Sequence, residues 1–344
     1  MYEYVLQEPM SIIKKEMDCK DPGENEALIR VENVGICGSD IHLFHGTYNG
    51  PYRYPMLLGH EWSGTVVKTG GKVTKVQPGD KVTGDCSKYC DDCESCKTDK
   101  NLCLNIEKFG ITIDGATSEY IIRDEKYLYK APEGVNAKLL CLSEPVAVAA
   151  HLLAKVKRVC GGSFKDKKVL ILGGGVIGMS TLMLLIKMEG CRQAELYDLA
   201  HSRTAIAESV NARIPSAGEL DSGSIGDSYS SMYQMAKYDI VLETTGVAPV
   251  FVNAMYLVKP GGVLGCVGMI AKAEIPQKII VTKSLTIIGS IGGTGHFNRA
   301  MEFIARYPDT ASKLISHYYP IDRADEAFKT AGVPEGTMKV VLTL

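Results

Sequence analysis

The sequence has almost no excess charge of either sign. Its 38 Lys and Arg nearly balance 40 Asp and Glu, for a formal net charge of -2 and a pI near 6.4. Without a cationic surplus there is nothing to hold a polyanion, which removes nucleic acid as an expected partner. No internal repeat, low-complexity tract or long charged tail is present, so repeat arrays and tail-driven interaction proteins drop out as well. The opening Met1-Tyr2-Glu3-Tyr4 lacks a basic lead and a secretory apolar core. Eleven cysteines, an odd number with several at metal-ligand spacing, argue against a disulfide framework. The expected compartment is therefore reducing and cytoplasmic. One uncharged stretch, Val169 to Ile186, approaches the length of a membrane span. Glycines at 173, 174, 175 and 178 divide it into a buried strand, a turn and a helix, so no membrane partner is expected. What remains is a chain of 344 residues, 45% hydrophobic and 23% charged, which can bury two cores and act on a small molecule.

Two short clusters carry the chemistry. The first is Gly35-Ile36-Cys37-Gly38-Ser39-Asp40-Ile41-His42, and the second Gly59-His60-Glu61. Cys37, His60 and Glu61 offer the sulfur, nitrogen and oxygen ligands that Zn2+ takes, and a catalytic zinc keeps a further position open. Ser39 and His42 follow the cysteine closely enough to pass a proton toward solvent, although a turn-stabilising hydroxyl is an alternative role for Ser39. Asp40 is expected to orient a ligand or the turn.

Five cysteines crowd into the eighteen residues from Cys86 to Cys103. Cys90, Cys93, Cys96 and Cys103 form the natural set for a closed, four-thiolate structural zinc stapling a lobe with little core of its own, with Cys86 a possible substitute ligand. Glu144 precedes Pro145 where an Ala/Val-rich helix begins, a place where a first-turn carboxylate is stabilised by the helix N-terminus. His151, seven residues on, is expected to be a packing or interface histidine.

The remaining pattern alternates strands and helices. Extended segments and glycine turns up to Val82 predict a small irregular β domain. Lys168-Val169-Leu170-Ile171-Leu172 is suited to a strand buried on both faces. Gly173-Gly174-Gly175-Val176-Ile177-Gly178 then satisfies GxGxxG ahead of a helix, and Asp198 closes the next strand-like run. The helix N-terminus and the glycine amides would hold a pyrophosphate, and Asp198 the adenosine ribose. A carboxylate there repels a 2'-phosphate, so NAD is expected over NADP, with Arg203 as a competing influence. Thr245, Val267 and Ser290 end later strands and are expected to approach the cofactor. A surface loop is expected around Asp221 to Ser231.

Taken together these segments resemble the zinc-dependent medium-chain dehydrogenases, in which GxCGSDxH is followed by GHE. The resemblance spans essentially the whole chain. It implies an α/β protein: an irregular β, GroES-like catalytic domain over residues 1-150 with a zinc lobe at 86-103, a Rossmann doubly wound parallel-sheet domain over 151-290, and a C-terminal segment, 291-344, returning to the first domain. It implies two Zn2+ per chain, NAD, and a dimer or tetramer. It places Glu144 at the catalytic metal, directly or through water. In the implied reaction Ser39 takes the alcohol proton and passes it through the cofactor ribose to His42 while hydride goes to the nicotinamide. The interval between Cys96 and Cys103 departs from the family's common spacing by one residue. The Glu-Pro position resembles the polyol and threonine dehydrogenase branch, which includes sorbitol and butanediol enzymes. Leu58 to Val66 and Gly289 to Gly293 look most like the 2-deoxy-scyllo-inosamine dehydrogenases of aminoglycoside biosynthesis. That likeness implies a cyclitol or aminocyclitol held by His45, Tyr48 or His296, under a pocket roof left open by Ile291-Gly292-Gly293. A zinc- and NAD-binding protein without activity is the alternative; the intact proton-relay residues argue against it.

Overall fold

The computed structural model describes residues 1-221, 228-234 and 236-344. The chain divides into two compact units, one made of Met1–Ala147 and Gly292–Leu344, the other of Val148–Ile291.

The first unit is built on strands. Glu26–Gly35 is its axis, with Ala27, Ile29, Val31 and Val34 buried along it. It pairs antiparallel with Glu61–Thr69, with Tyr120–Asp124 and with Lys339–Thr343. The sheet continues through Lys81–Gly84 and Leu128–Lys130 on one side and Ile315–Pro320 on the other. Three further strands, Ser11–Glu16, Tyr2–Glu8 and Met56–Leu57, form a second sheet. Trp62 fills the core at 1% exposure, and Gly84 must lack a side chain because a Cβ there would lie 2.4 Å from the indole. Truncating that indole costs about 3–5 kcal/mol. The C-terminal strand thus returns to the first unit beside the residues leading to Cys37: Val341 pairs with Gly35, and the Ile36 N–H donates to the Val340 carbonyl at 2.9 Å.

The second unit is a five-stranded parallel sheet. In spatial order its strands are Gln193–Tyr197, Lys168–Leu172, Tyr238–Glu243, Val258–Cys266 and Thr286–Gly289. A single parallel bridge from Glu195 to Arg213 stands where a sixth strand would begin. The order reverses beside Lys168–Leu172, so the crevice at its carboxyl end is where such sheets take a dinucleotide. The helix Val176–Lys187 follows at once, and its close packing on the turn explains the last glycine of the motif: a Cβ on Gly178 would sit 1.9 Å from the Gly173 carbonyl oxygen.

Among the described residues the longest apolar helical stretch is Ala137–Val159, a 3-10 turn running into the helix Ser143–Val159. It is long and apolar enough to cross a membrane, yet 83% of its apolar window is buried inside the protein, as a core helix is. The expected surface loop near Asp221 to Ser231 needs correction where it is described: Tyr229–Gln234 is helical, and residues 222-227 lie outside the described residues.

Candidate metal and cofactor sites

Asp40 joins the two motif turns. It lies in the short helix Gly38–Phe44; one carboxylate oxygen accepts the Cys37 N–H at 2.8 Å and the other the Gly59 N–H at 3.3 Å. The second oxygen also lies 3.7 Å from Nδ1 of His60. One buried carboxylate therefore fixes the turn that presents Cys37 against the turn that presents His60 and Glu61. Gly59 is required in that turn, since its φ is +84° and a Cβ would strike Val34.

The result is a compact donor set. The ligand atoms of Cys37, His60 and Glu61 lie within 4.8 Å of one another. Asp40, His60, Glu61 and Glu144 are all buried. Glu144 stands outside that 4.8 Å set, in the first turn of its helix, with the Cys86 thiol hydrogen-bonded to it and the His60 ring close enough to interact with its charge. Burial pushes the Asp40 and Glu144 carboxyls above their usual range. Burial opposes a charge on His60, yet Asp40, the Cys37 thiol and Glu144 raise its pKa well above the ordinary histidine value. Three buried carboxyl groups, a thiol and an imidazole converge, and the Lys339 ammonium pairs with one of them, Glu61. Such a set calls for a cation, and its mixed donors fit Zn2+ with coordination to spare.

Lys339 was not legible as a site residue. It starts the C-terminal strand, is 4% exposed, and places Nζ 2.6 and 2.9 Å from the two Glu61 oxygens and 2.9 Å from the Ile36 carbonyl. The one available signal was a lysine heading an apolar strand, which is common at strand ends. Ser39 has a buried hydroxyl without a hydrogen-bond partner. His42 is exposed, and its Nδ1 lies 3.0 Å from the Thr47 hydroxyl. Tyr48 is half-buried, and burial together with the nearby Cys37 thiol and Asp40 raises its pKa. It makes edge contact with Tyr52, which in turn meets Tyr54. His45 is exposed, and His296 precedes the helix Phe297–Arg306. His151 is buried outside both donor sets.

The second set is Cys90, Cys93, Cys96 and Cys103, again within 4.8 Å. Its sulfurs lie 3.5 Å (Cys90 to Cys103), 3.9 Å (Cys90 to Cys96) and 4.0 Å (Cys93 to Cys103) apart. Tetrahedral zinc with Zn–S of about 2.3 Å requires sulfur separations of about 3.8 Å, so the cage fits despite its short last interval. Backbone donors favour thiolates here: Leu104 and Cys96 N–H groups bring Cys93 down to about 6, while burial pushes Cys96 up to about 12. Cys86 does not substitute for a member of this set. It lies one strand-turn earlier and bonds Glu144 instead.

In the second unit, Asp198 accepts the Gly174 N–H at 2.6 Å and the Ala200 N–H at 2.8 Å, with Arg203 3.6 Å away. The carboxylate thus shapes the glycine turn as well as facing the crevice. Thr244, missed in the sequence, donates to the carbonyls of Leu172 and Gly173 at 3.0 and 3.1 Å, tying the central strand to that turn. Thr245 is turned inward onto Glu243, which receives both its N–H and its hydroxyl. The Val267 N–H donates to the Glu243 carbonyl at 3.0 Å. The Ser290 hydroxyl is buried without a partner. Gly173, Gly175, Val176 and Ile177 line the turn and first helical residues. A parallel sheet, a glycine turn packed under a helix N-terminus and an acidic residue at the next strand end fit a nicotinamide dinucleotide.

A dinucleotide-binding sheet combined with a zinc-type mixed donor set and a four-thiolate cage defines a zinc-dependent dehydrogenase. The alcohol dehydrogenase GroES-like domain family matches residues 23–133, and the glucose dehydrogenase C-terminus family residues 137–344. The chain is 32% identical over 341 residues to the uncharacterized zinc-type alcohol dehydrogenase-like protein YdjJ of Escherichia coli K12, covering 94% of this chain and 93% of that one. It is 31% identical over 318 residues to sorbitol dehydrogenase of Bos taurus, covering 90% and 87%. A zinc-binding dehydrogenase structure from Sinorhizobium meliloti 1021, bound to NADP, aligns with a TM-score of 0.85 over 100% of this chain and 99% of that one, at 28% identity. The chain belongs to the zinc-type medium-chain alcohol and polyol dehydrogenases.

Proposed function

We propose that this chain oxidises a secondary alcohol of a cyclitol or aminocyclitol to a ketone with NAD. The observation that carries the reading is the convergence of Cys37, His60 and Glu61 beside Ser39, whose buried hydroxyl has no partner of its own. Zinc held by these three groups supplies Lewis acidity toward an alcohol oxygen, and the nicotinamide supplies the hydride acceptor. Glu144 adds negative charge next to His60 and is proposed to reach the metal directly or through water. Ser39 Oγ is free to accept the alcohol proton. His42, at the surface with Nδ1 engaged by Thr47, presents Nε2 for delivering a proton to solvent. Asp198 favours a free adenosine ribose, so NAD is preferred although a relative was solved with NADP.

The polyol class is supported by the sorbitol dehydrogenase relative, and the ring-shaped substrate by Tyr48 near Cys37 and by the small residues after Ser290. Gly292 has a second reason to be glycine: its φ is +70° and Asn101 occupies the space of a Cβ. The open-roof argument therefore rests on Gly293 alone. A panel of cyclitols, aminocyclitols and linear polyols assayed with NAD and with NADP tests the reading. A preference for a cyclitol with NAD is expected; equal rates with sorbitol and threonine would remove the ring specificity, and faster turnover with NADP would remove the role given to Asp198.

A further inference from the structure

The four-thiolate loop reaches across the first unit to the place where the chain re-enters it, and it does so through one buried side chain, Asn101. Its Oδ1 accepts the Thr294 N–H at 3.0 Å and its Nδ2 donates to the Thr294 carbonyl at 3.2 Å. A carboxamide thus pairs with both peptide groups of one residue as a neighbouring strand would. Asp99 holds the carboxamide from behind, accepting Nδ2–H at 2.8 Å and the Asn101 N–H at 3.0 Å. Asn101 lies in the turn Lys100–Leu102, directly before Cys103, so the thiolate set folds the turn that aims it. Thr294 is fastened from its other side, its hydroxyl donating to Asp85 at 2.9 Å. Asp85 is buried and also receives the Ser87 N–H at 2.9 Å and the Tyr129 hydroxyl at 3.2 Å. Gly292 opens this segment, and a Cβ there would sit 2.2 Å from the Asn101 oxygen.

We infer that Asn101 is a positioning residue through which the thiolate-bound metal governs cofactor affinity, by fixing the segment Gly292 to Thr294 immediately after Ser290. The chain crosses between the units at Ile291 and Gly292. Ser290 is held to the sheet by its N–H, which donates to the Cys266 carbonyl at 2.9 Å, and the chain that follows it is held from Gly292 to Thr294 by Asn101. The inference rests on the readings of the thiolates as a metal site and of Ser290 as a cofactor contact.

The test uses the full-length zinc-loaded protein and its Asn101→Ala and Gly292→Ala variants, with NADH as the probe. Asn101→Ala strips Thr294 of two buried hydrogen bonds and is expected to weaken NADH binding about 10-fold. It should leave kcat at saturating cofactor within about 2-fold, retain both zincs, and speed amide exchange at 292-296. Gly292→Ala changes no residue of the thiolate loop but attacks the same contact from its other partner, its Cβ meeting the Asn101 oxygen, and should give the same exchange signature. The double variant should then lose less than the product of the two single effects. Unchanged NADH affinity with unchanged exchange overturns the inference. So does loss of the thiolate-bound zinc from Asn101→Ala, which would make Asn101 a folding residue of the loop. Failure of the wild-type protein to bind NADH would instead strike the cofactor reading, and the exchange comparison decides whether Asn101 fixes 292-296 without any cofactor present.

Discussion

The four thiolates come from one stretch of fourteen residues, Cys90 to Cys103, whereas Cys37, His60 and Glu61 come from two turns held together by Asp40 and backed by the C-terminal Lys339. The first set sits over a small apolar cluster of Tyr89, Phe109 and Tyr127 and is made of four identical, chemically saturating donors. The second is wrapped in a large core and mixes three donor types with surplus buried negative charge. A cage built locally lends its metal's binding energy to folding a lobe, while a site built from distant turns uses the energy of the fold to keep donors apart from one another and coordination incomplete.

Metal removal separates the two most sharply. Mild chelation is expected to take one zinc of two, abolish alcohol-dependent NADH formation and leave the circular dichroism unchanged. The second zinc, bound in comparable peptides by about 10–16 kcal/mol, should leave after acidification or thiol alkylation and open the loop around 86-109 to proteolysis. Simultaneous release of both metals would show that the sets are not independent.

Lys339→Met comes next. It leaves the Glu61 carboxylate buried without its ammonium, which costs about 3–5 kcal/mol of stability in the metal-free protein. Combining it with Glu61→Gln should recover most of that loss in thermal denaturation; additive losses would mean that the ion pair is not what Lys339 contributes. The thiolate loop should keep its zinc in both variants.

Asp40→Ala tests the joint between the turns. Removing an outer carboxylate that orients ligands lowers metal affinity about 10- to 100-fold, so competition with a chromophoric chelator should show the catalytic zinc weakened and the thiolate zinc unmoved. An affinity at the catalytic site unchanged by the substitution would take from Asp40 its part in assembling the site.

This contrast also explains what was legible beforehand. Cys90, Cys93, Cys96 and Cys103 were readable because spacing along the chain is the geometry of a local cage. Cys37, His60 and Glu61 were readable as residue types in two motifs, but their convergence depends on the Asp40 carboxylate spanning 19 residues of chain to Gly59. Lys339 pairs with Glu61 across 278 residues, a separation at which no periodicity or spacing carries a signal. The central glycine turn was legible for the same reason as the thiolates: strand, turn, helix and Asp198 follow one another. Thr244 was hidden because its use there depends on which strand lies next to Lys168–Leu172 in the sheet. Glycine at 292 was read as absence of bulk, and its explanation, Asn101, lies 191 residues away by number.

The smallest expected effect concerns the proton path proposed for the open site, for which the closed cage has no counterpart. The Thr47 hydroxyl lies 3.0 Å from His42 Nδ1 and 3.5 Å from the His42 carbonyl, an atom that can accept but not donate. A hydroxyl hydrogen directed at that carbonyl leaves the oxygen to accept from Nδ1–H, which holds the neutral ring in the tautomer with a free Nε2 lone pair. Thr47→Val keeps the shape and deletes this preference, so turnover near neutrality should fall by about 3-fold, the worth of one exposed hydrogen bond. Thr47→Ser should restore it. His42→Ala should produce a larger fall of the same kind, partly relieved at higher pH, where hydroxide in solvent takes over the removal of the proton. In Thr47→Val the deficit should shrink over the same pH range. A deficit that stays constant with pH would assign Thr47 to packing of the loop alone, and the relay would then run without tautomer control.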